Sequence, residues 1–346
     1  MKFRFLVALL LLGAIVYYIG IPSPPAWAGQ AVRGIQDKAK DVQLPKFPIS
    51  ATGDIEVHFC AVDDCVTPLS NLINKSNTTD CALYDVTIPG IVRPLQEKTA
   101  AGTARLVVDL TATKTDHNLD FAKRGGTKGL MHDKFCIFDH QAIMAGSFNP
   151  TASGAHSFDN NLLIIHSSAL AENYEAEFEE LLAGKFSGGG STPHPSTTIG
   201  QTPTENFFCP EDWCANAVLH AIHPAQHTID FLTFSFTHDG IGDALVQKHQ
   251  DGVQIRGVME KSQHNAYDEY SKLHDTGIDV RWDGNSGLMH HKVFIIDGNT
   301  VVTGSFNPTK NADTDNDENV LIIHDTALAA KYEQEFTRVY AAAQQS

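Results

Sequence analysis

A chain of 346 residues with 42% apolar residues has core enough for more than one domain, and its formal net charge of −16 makes it acidic overall. That balance excludes tight, non-specific binding to bulk nucleic acid or anionic membrane, which draws on many Lys and Arg contacts with phosphates. A local basic groove stays open to it.

Phe5 to Ile21 is an apolar run behind Lys2 and Arg4, and Ala26-Trp27-Ala28 before Gly29 has the form of a signal-peptidase site. Residues 1–28 are therefore expected to be a signal peptide, with a retained N-terminal anchor as the alternative. The run is slightly short for a membrane span and is ended by Pro22, Pro24 and Pro25. Cleavage would leave 23 basic against 41 acidic residues, so the exported chain, periplasmic or secreted, would carry −18. Residues 29–50 read as a flexible lead-in. Strand-like runs follow at Ile55–Phe59, Ala82–Ile88 and Arg105–Leu110, with a helix expected over Ile91–Thr99. Residues 187–204, rich in Ser, Gly, Pro and Thr, look like a linker or mobile loop. Beyond them Thr228–Phe236 reads as a strand, Gly240–His249 as a helix and Val253–Val258 as a strand. This alternation predicts an α/β fold, a mixed β-sheet flanked by helices.

The chain also repeats itself. Gly129 to Phe178 laid without gaps on Gly287 to Phe336 matches at 26 of 50 positions. Each copy holds Gly-Leu-Met-His-x-Lys, an Asp five residues after the Lys (Asp139, Asp297), and then Gly-Ser-Phe-Asn-Pro-Thr. The apolar runs Phe135–Phe138 and Val293–Ile296 place each His-x-Lys at the start of a strand, so His132 and Lys134, or His290 and Lys292, share a face. Asp139 and Asp297 fall in hairpin turns and read as structural. The returning strands, Ala142–Ala145 and Val301–Thr303, bring Ser147 and Asn149, or Ser305 and Asn307, back to the motif, where hydroxyl and amide could hold phosphate oxygens. A buried strand (Leu162–His166, Val320–His324) and a helix capped by Ser168 or Thr326 close each copy. Leu170, Tyr174, Phe178 and Leu328, Tyr332, Phe336 form core-facing stripes. The two domains are expected at residues 51–186 and 205–346.

Cys60 and Cys65 recur as Cys209 and Cys214 at the same spacing, each pair following a Phe. In an exported chain they are expected to form one small disulfide loop per repeat, with zinc as the lesser alternative. Cys136 aligns with Phe294 inside a strand and reads as core; Cys81 either pairs with it or stays free. His140, His166, His291 and His324 read as turn, strand-end or surface histidines. Lys114, Lys123, Arg124 and Lys128 cluster ahead of the first motif, and the Lys123–Lys128 loop is the candidate for gripping the backbone beside a scissile phosphate.

The two His-x-Lys-x4-Asp motifs, each followed by Gly-Ser-x-Asn, resemble the signature of the phospholipase D superfamily. The Gly-Ser-Phe-Asn form and the segment Asn316–Ile323 are most similar to its bacterial Nuc-type endonuclease branch. The resemblance covers about Phe59–Phe178 and Phe208–Phe336. It implies two phospholipase D-like α/β/α domains packed as an internal pseudo-two-fold dimer, a monomer needing no protein partner. One His would attack phosphorus and the other protonate the leaving oxygen, giving a covalent phosphohistidine that water then hydrolyses. Lys134, Lys292, Asn149 and Asn307 would neutralise the phosphate oxygens, so no metal and no cofactor is expected in the chemistry. Glu318 stands where that branch carries a carboxylate that orients a motif His, and Asn160 is its counterpart in the first copy. The His held by Glu318 is expected to be the nucleophile, and this reading takes it to be His290. The substrate is expected to be DNA or RNA. The alternatives are a phospholipase D or phosphatidyl transferase acting on phospholipid, or an inactive phosphate-binding module.

Overall fold

The computed structural model describes residues 49–51, 53–112, 119–126 and 128–343. The expected signal peptide, nearly all of the lead-in, and Lys114 lie outside the described residues. The elements follow as β1 (Ile49–Ala51), β2 (Ile55–Phe59), α1 (Val66–Lys75), β3 (Thr79–Leu83), α2 (Pro89–Ala100), β4 (Ala104–Asp109), β5 (Lys123–Gly125), β6 (Lys134–Phe138), β7 (Ala142–Gly146), α3 (Ala152–His156), β8 (Asn161–His166) and α4 (Ser168–Leu182). Then come β9 (Ser196–Ile199), β10 (Thr202–Cys209), α5 (Cys214–Ile222), β11 (Thr228–Thr233), α6 (Asp239–Gln250), β12 (Gln254–Met259), α7 (Tyr270–Asp275), β13 (Asp279–Trp282), β14 (Lys292–Ile296), β15 (Thr300–Gly304), α8 (Lys310–Thr314), β16 (Glu318–His324) and α9 (Thr326–Ala342).

The strands form two mixed sheets of the same plan. The first runs β2-β8-β7-β6-β3-β4-β5, and the second runs β10-β16-β15-β14-β11-β12-β13 with β9 and β1 added at its β10 edge. In each, one strand pairs parallel with its crossover neighbour (β3 with β4, β11 with β12) and antiparallel with the motif strand (β6 or β14). The strands alternate faces with period two. Phe135 and Ile137 enter a central cluster, while Cys136 and Phe138 face the other way, against Leu69 and Ile73 of α1 and Ile91 and Leu95 of α2. The central cluster belongs to both repeats. It joins Tyr174 and Phe178 of α4, Tyr332 and Phe336 of α9, Phe135 of the first sheet and Phe208 and Val293 of the second. Tyr174 stands edge-on to Phe135 at 4.9 Å and to Phe208 at 5.0 Å, so one helix residue ties the two sheets together. The predicted stripes on these helices are thus the seam of the internal dimer.

Several expectations shift. The strand predicted at Ala82–Ile88 is β3, Thr79–Leu83, because the chain leaves the sheet once Tyr84 N–H has bonded Asp133 O (2.9 Å) and Thr87 and Ile88 turn their N–H groups to Pro150 O. The strand expected to reach Phe236 ends at Thr233. The caps of α4 and α9 are Ser167 and Asp325, one residue before those predicted; their side chains accept from Leu170 N (3.2 Å) and Leu328 N (2.7 Å). Residues 187–204, expected as a linker, carry β9, which pairs with β10 and β1 and enlarges the second sheet. The β-branched run Thr197-Thr198-Ile199 outweighs the surrounding Ser and Pro.

The disulfides are Cys60–Cys65, Cys209–Cys214 and Cys81–Cys136. Cys81 and Cys136 are direct cross-strand partners on β3 and β6, and Phe231 and Phe294 occupy the same register in the second sheet. Three such bonds point to an oxidising compartment. No helix among the described residues is long and apolar enough to cross a membrane.

Candidate active site

Each motif begins with a glycine pressed against the opposite repeat. A Cβ on Gly129 would lie 1.8 Å from Asp315 O, and one on Gly287 would lie 1.9 Å from Ser157 O. This closeness lets His132 N bond Asp317 O and His290 N bond Asp159 O, both at 2.9 Å. The motif of each copy is thereby stitched to the other.

The rings follow the same crossed plan. His132 Nδ1 donates to Glu318 Oε2 at 2.7 Å, and His290 Nδ1 donates to Asn160 Oδ1 at 2.8 Å. Glu318 therefore holds His132 and not His290, a correction to the expected pairing. Alignment makes Glu318 and Asn160 equivalent, but β16 and β8 present them across the pseudo-two-fold axis. Asn160 has its orientation fixed, since its Nδ2 donates to Gly154 O (3.0 Å) and leaves only the oxygen for the ring. Both rings so carry their proton on Nδ1 and keep Nε2 for chemistry.

Ser147 and Ser305 do not point their hydroxyls at a substrate. Ser305 Oγ donates to Glu318 Oε2 (2.7 Å) and Ser147 Oγ to Asn160 Oδ1 (3.2 Å), while each accepts the N–H of Asn319 or Asn161 at 3.0 Å. They position the residues that hold the rings. The glycine before each takes φ +140°, and a Cβ there would lie 2.4 Å or 2.3 Å from the carbonyl of Asn161 or Asn319.

Lys134 and Lys292 are buried, each with Nζ on the carbonyl of its own His (2.6 and 2.8 Å) and over an aromatic ring, Tyr84 or Phe234, at 5.0 or 4.8 Å. The same rings stand edge-on to His132 (4.8 Å) and His290 (4.7 Å). Sequence reasoning missed this aromatic pair, whose signal is a repeated aromatic one residue past β3 and β11. Burial brings Lys134 down to about 8 and Lys292 well below the ordinary lysine value. Burial likewise lowers His132, against the pull of Glu318, and lowers His290 further, with Lys292 and Lys134 adding to the effect. Asn149 Oδ1 and Asn307 Oδ1 are buried and accept no hydrogen bond.

His132 and His290 open into one cleft of about 920 Å³, with Asn307, Tyr84, Phe234 and Lys128 also on its wall. Lys128 pairs with Asp315 at 3.3 Å. Of the three basic residues expected to grip a substrate, Lys128 lines the cleft, while Lys123 and Arg124, on the edge strand β5, do not. Asp139 and Asp297 hold their turns: Asp139 Oδ1 accepts from Asn77 N (2.6 Å) and Thr78 N (2.8 Å), and Asp297 accepts from Gln226, His227 and Thr228 N–H. His291, grouped in the sequence with turn, strand-end and surface histidines, is wholly buried. Its Nδ1 lies 3.2 Å from Asn161 Oδ1 and its Nε2 lies 3.0 Å from Glu335 Oε1. A residue alternating with His290 at the start of a buried strand faces the inter-repeat core.

Two ring-oriented histidines in one cleft, each backed by a buried lysine on a duplicated mixed-sheet fold, define a two-histidine phosphodiester site. A family model described as the phospholipase D-like domain of cardiolipin synthase matches residues 79–182 and 218–340. The chain belongs to the phospholipase D superfamily. It is 38% identical over 117 residues to the mitochondrial cardiolipin hydrolase of Chlamydomonas reinhardtii, covering 34% of this chain and 52% of that protein. It is 35% identical over 139 residues to a phospholipase D of Rickettsia conorii, covering 39% of this chain and 68% of that protein. Among solved structures, phosphatidylserine synthase of Haemophilus influenzae shares the fold over 84% of this chain and 87% of its own, at 12% identity and a TM-score of 0.63. Nuc of Salmonella typhimurium matches 42% of this chain and 98% of its own, at 30% identity and a TM-score of 0.40.

Proposed function

We propose that this chain is an exported phosphodiesterase that cleaves DNA or RNA strands through a phosphohistidine on His132. The observation that carries the chemistry is the pair of Nδ1-anchored rings sharing one cleft. His132 Nε2 attacks phosphorus, the bond to the leaving oxygen breaks, and His290 Nε2–H supplies that oxygen with its proton. Water then attacks the phosphohistidine, giving its proton to His290 and releasing His132. Glu318 beside His132 favours the cationic phosphorylated ring, whereas Asn160 beside His290 lets that ring gain and lose a proton freely. In the free site His290 is held neutral by burial and by both lysines. A bound phosphodiester brings negative charge that offsets the lysines and raises it toward its role as acid. Lys134, Lys292 and the orphaned amide oxygens' partner groups on Asn149 and Asn307 surround the phosphate.

The open cleft with Lys128, Gln263, Asn311 and Asn316 on its walls supports a polar, chain-like substrate. The names of the algal and rickettsial relatives favour a second reading, hydrolysis of phospholipid. The test is turnover of labelled single-stranded DNA, double-stranded DNA, RNA and cardiolipin or phosphatidylcholine vesicles in parallel, well below the melting temperature and in EDTA. Nucleic-acid cleavage lost in His132→Ala and His290→Ala is expected. Headgroup or phosphatidate release with nucleic acid intact would overturn the substrate, and undiminished turnover in both variants would overturn the site.

A further inference from the structure

Away from the cleft, one matched place mixes acids with basic groups in one copy and holds only acids in the other. On the side of α9, Arg338 Nη2 donates to Asp159 Oδ1 and to Glu335 Oε1 (2.6 Å), and Glu335 also meets His291 Nε2 (3.0 Å). Val62, just past the Cys60–Cys65 loop's first cysteine, lines the same small cavity as Arg338. Two acids there face a guanidinium and an imidazole. The repeat offset carries Asp159, Glu335, Arg338 and His291 onto Asp317, Glu177, Glu180 and Asp133, and the matched disulfide loops carry Val62 onto Glu211. Each basic or apolar position has become a carboxylate.

These carboxylates lie together. Oxygens of Glu177, Glu180 and Glu211 are all within 4.8 Å of one another. Asp133 and Asp317 are 0% and 2% exposed; one oxygen of each is held, by Asn319 Nδ2 (2.6 Å) or Ser187 N (2.5 Å), and the other accepts no hydrogen bond. The Asp317 counterpart, Asp159, turns an oxygen to Arg338, whereas Asp317 and Asp133 both place their charge against Glu177. Glu211 Oε2 is also buried without a partner. Among the described residues, the one ion pair to this group is Lys185 on Glu180 at 3.3 Å, with the lysine largely exposed; Lys134 acts on Asp133 from the catalytic side. The loop of Gly188, Gly189 and Gly190 closes over the acids. Gly190 N donates to Glu180 Oε2 (2.9 Å), and a Cβ on Gly189 would lie 1.7 Å from that oxygen and 3.3 Å from Glu211 Oε1. Carboxylates packed this closely either share protons or meet a counter-charge.

We propose that this pocket binds a divalent cation of the calcium class, in the place where the other copy uses the Arg338 guanidinium. The donors are all hard oxygens, and oxygens facing each other across a calcium ion stand about 5 Å apart, as Glu177, Glu180 and Glu211 do. The ion pins Glu177 and Glu180 of α4 to Glu211 of the second repeat, and Asp317, whose carbonyl bonds His132 N, acts on Glu177 from beside it. It is a structural clamp, separate from the chemistry of the cleft.

The test is thermal melting and calorimetric titration of the mature protein, stripped with EDTA and desalted, against Ca2+, Mg2+ and Mn2+. Saturating Ca2+, about 1 mM or above for a site of this kind, is expected to raise the melting temperature by about 5 °C or more. Glu180→Arg recreates the Arg338 arrangement and is expected to melt near the Ca2+-loaded wild type while losing all response to Ca2+. If that variant fails to fold, Glu180→Gln is expected to weaken Ca2+ binding about tenfold. No binding heat and no shift with any of the three ions would overturn the proposal. So would a wild type that loses stability with rising pH identically with and without Ca2+, which would show shared protons filling the pocket.

Discussion

Replacing Glu318 with Gln isolates the charge behind His132 while keeping the shape. Glu318 is wholly buried, and its oxygens accept from His132 Nδ1 (2.7 Å), Ser305 Oγ (2.7 Å) and Asn316 Nδ2 (3.1 Å). A glutamine oxygen facing His132 and Ser305 preserves the tautomer, as Asn160 does for His290, and its NH2 loses the bond from Asn316. What disappears is the carboxylate that favours a cationic, phosphoryl-carrying ring. A hydrogen bond to a charged group exceeds a neutral one by about 1–2 kcal/mol, so adduct formation should slow about 5- to 30-fold. The assay is single-turnover quench-flow on a chromogenic phosphodiester, with the trapped adduct mapped by peptide mass spectrometry. The adduct is expected on His132, and Glu318→Asn combined with Asn160→Glu is expected to move it to His290. An unchanged single-turnover rate in Glu318→Gln, or a wild-type adduct on His290, would refute the reasoning.

Because burial brings Lys134 to about 8, kcat/KM should fall as pH rises through that value, where the free enzyme loses a positive charge that an ordinary lysine would keep. Lys134→Arg should move this alkaline limb upward by more than one pH unit, read from a kcat/KM profile on the same phosphodiester. A limb unmoved by the substitution assigns it elsewhere. The Cys81–Cys136 bond closes a loop across 55 residues, so Cys81→Val with Cys136→Val should lower stability by about 4 kcal/mol in denaturant melts, while the other two disulfides stay closed by mass.

The repeat made much of this molecule legible. Residue types that carry chemistry occurred once per copy, the apolar runs marked the motif strands, and the spacing of Tyr174 and Phe178 or Tyr332 and Phe336 marked the faces that became the shared core. Pairing across the seam was not legible. Sequence alignment says that Glu318 and Asn160 are equivalent but carries no information on which histidine either one reaches, since the crossing is made by packing between repeats. Ser147 and Ser305 misled for the same reason: a hydroxyl in a phosphate-binding motif suits a substrate oxygen and a buried carboxylate equally well. The sequence groups His291 with turn, strand-end and surface histidines, and only the burial of both strand starts shows His291 and Asp133 as interior residues. The sequence leaves Cys81 either paired with Cys136 or free, because its opposite number in the second sheet, Phe231, needs no bond to fill the same space.

The crossed holding of the two rings has a consequence for how a substrate lies in the cleft. Two identical subunits would present the same side chain to both histidines, and a substrate could enter in either direction with equal effect. Covalent fusion frees the two positions to differ, and here one ring leans on a carboxylate while the other leans on an amide. Lys128 borders the cleft, and the residue at the matching place in the second repeat is Ser286. The cleft therefore has a polarity: the two ends of a scissile bond are inequivalent before any substrate arrives, and the product that keeps the phosphate is decided by the direction of binding.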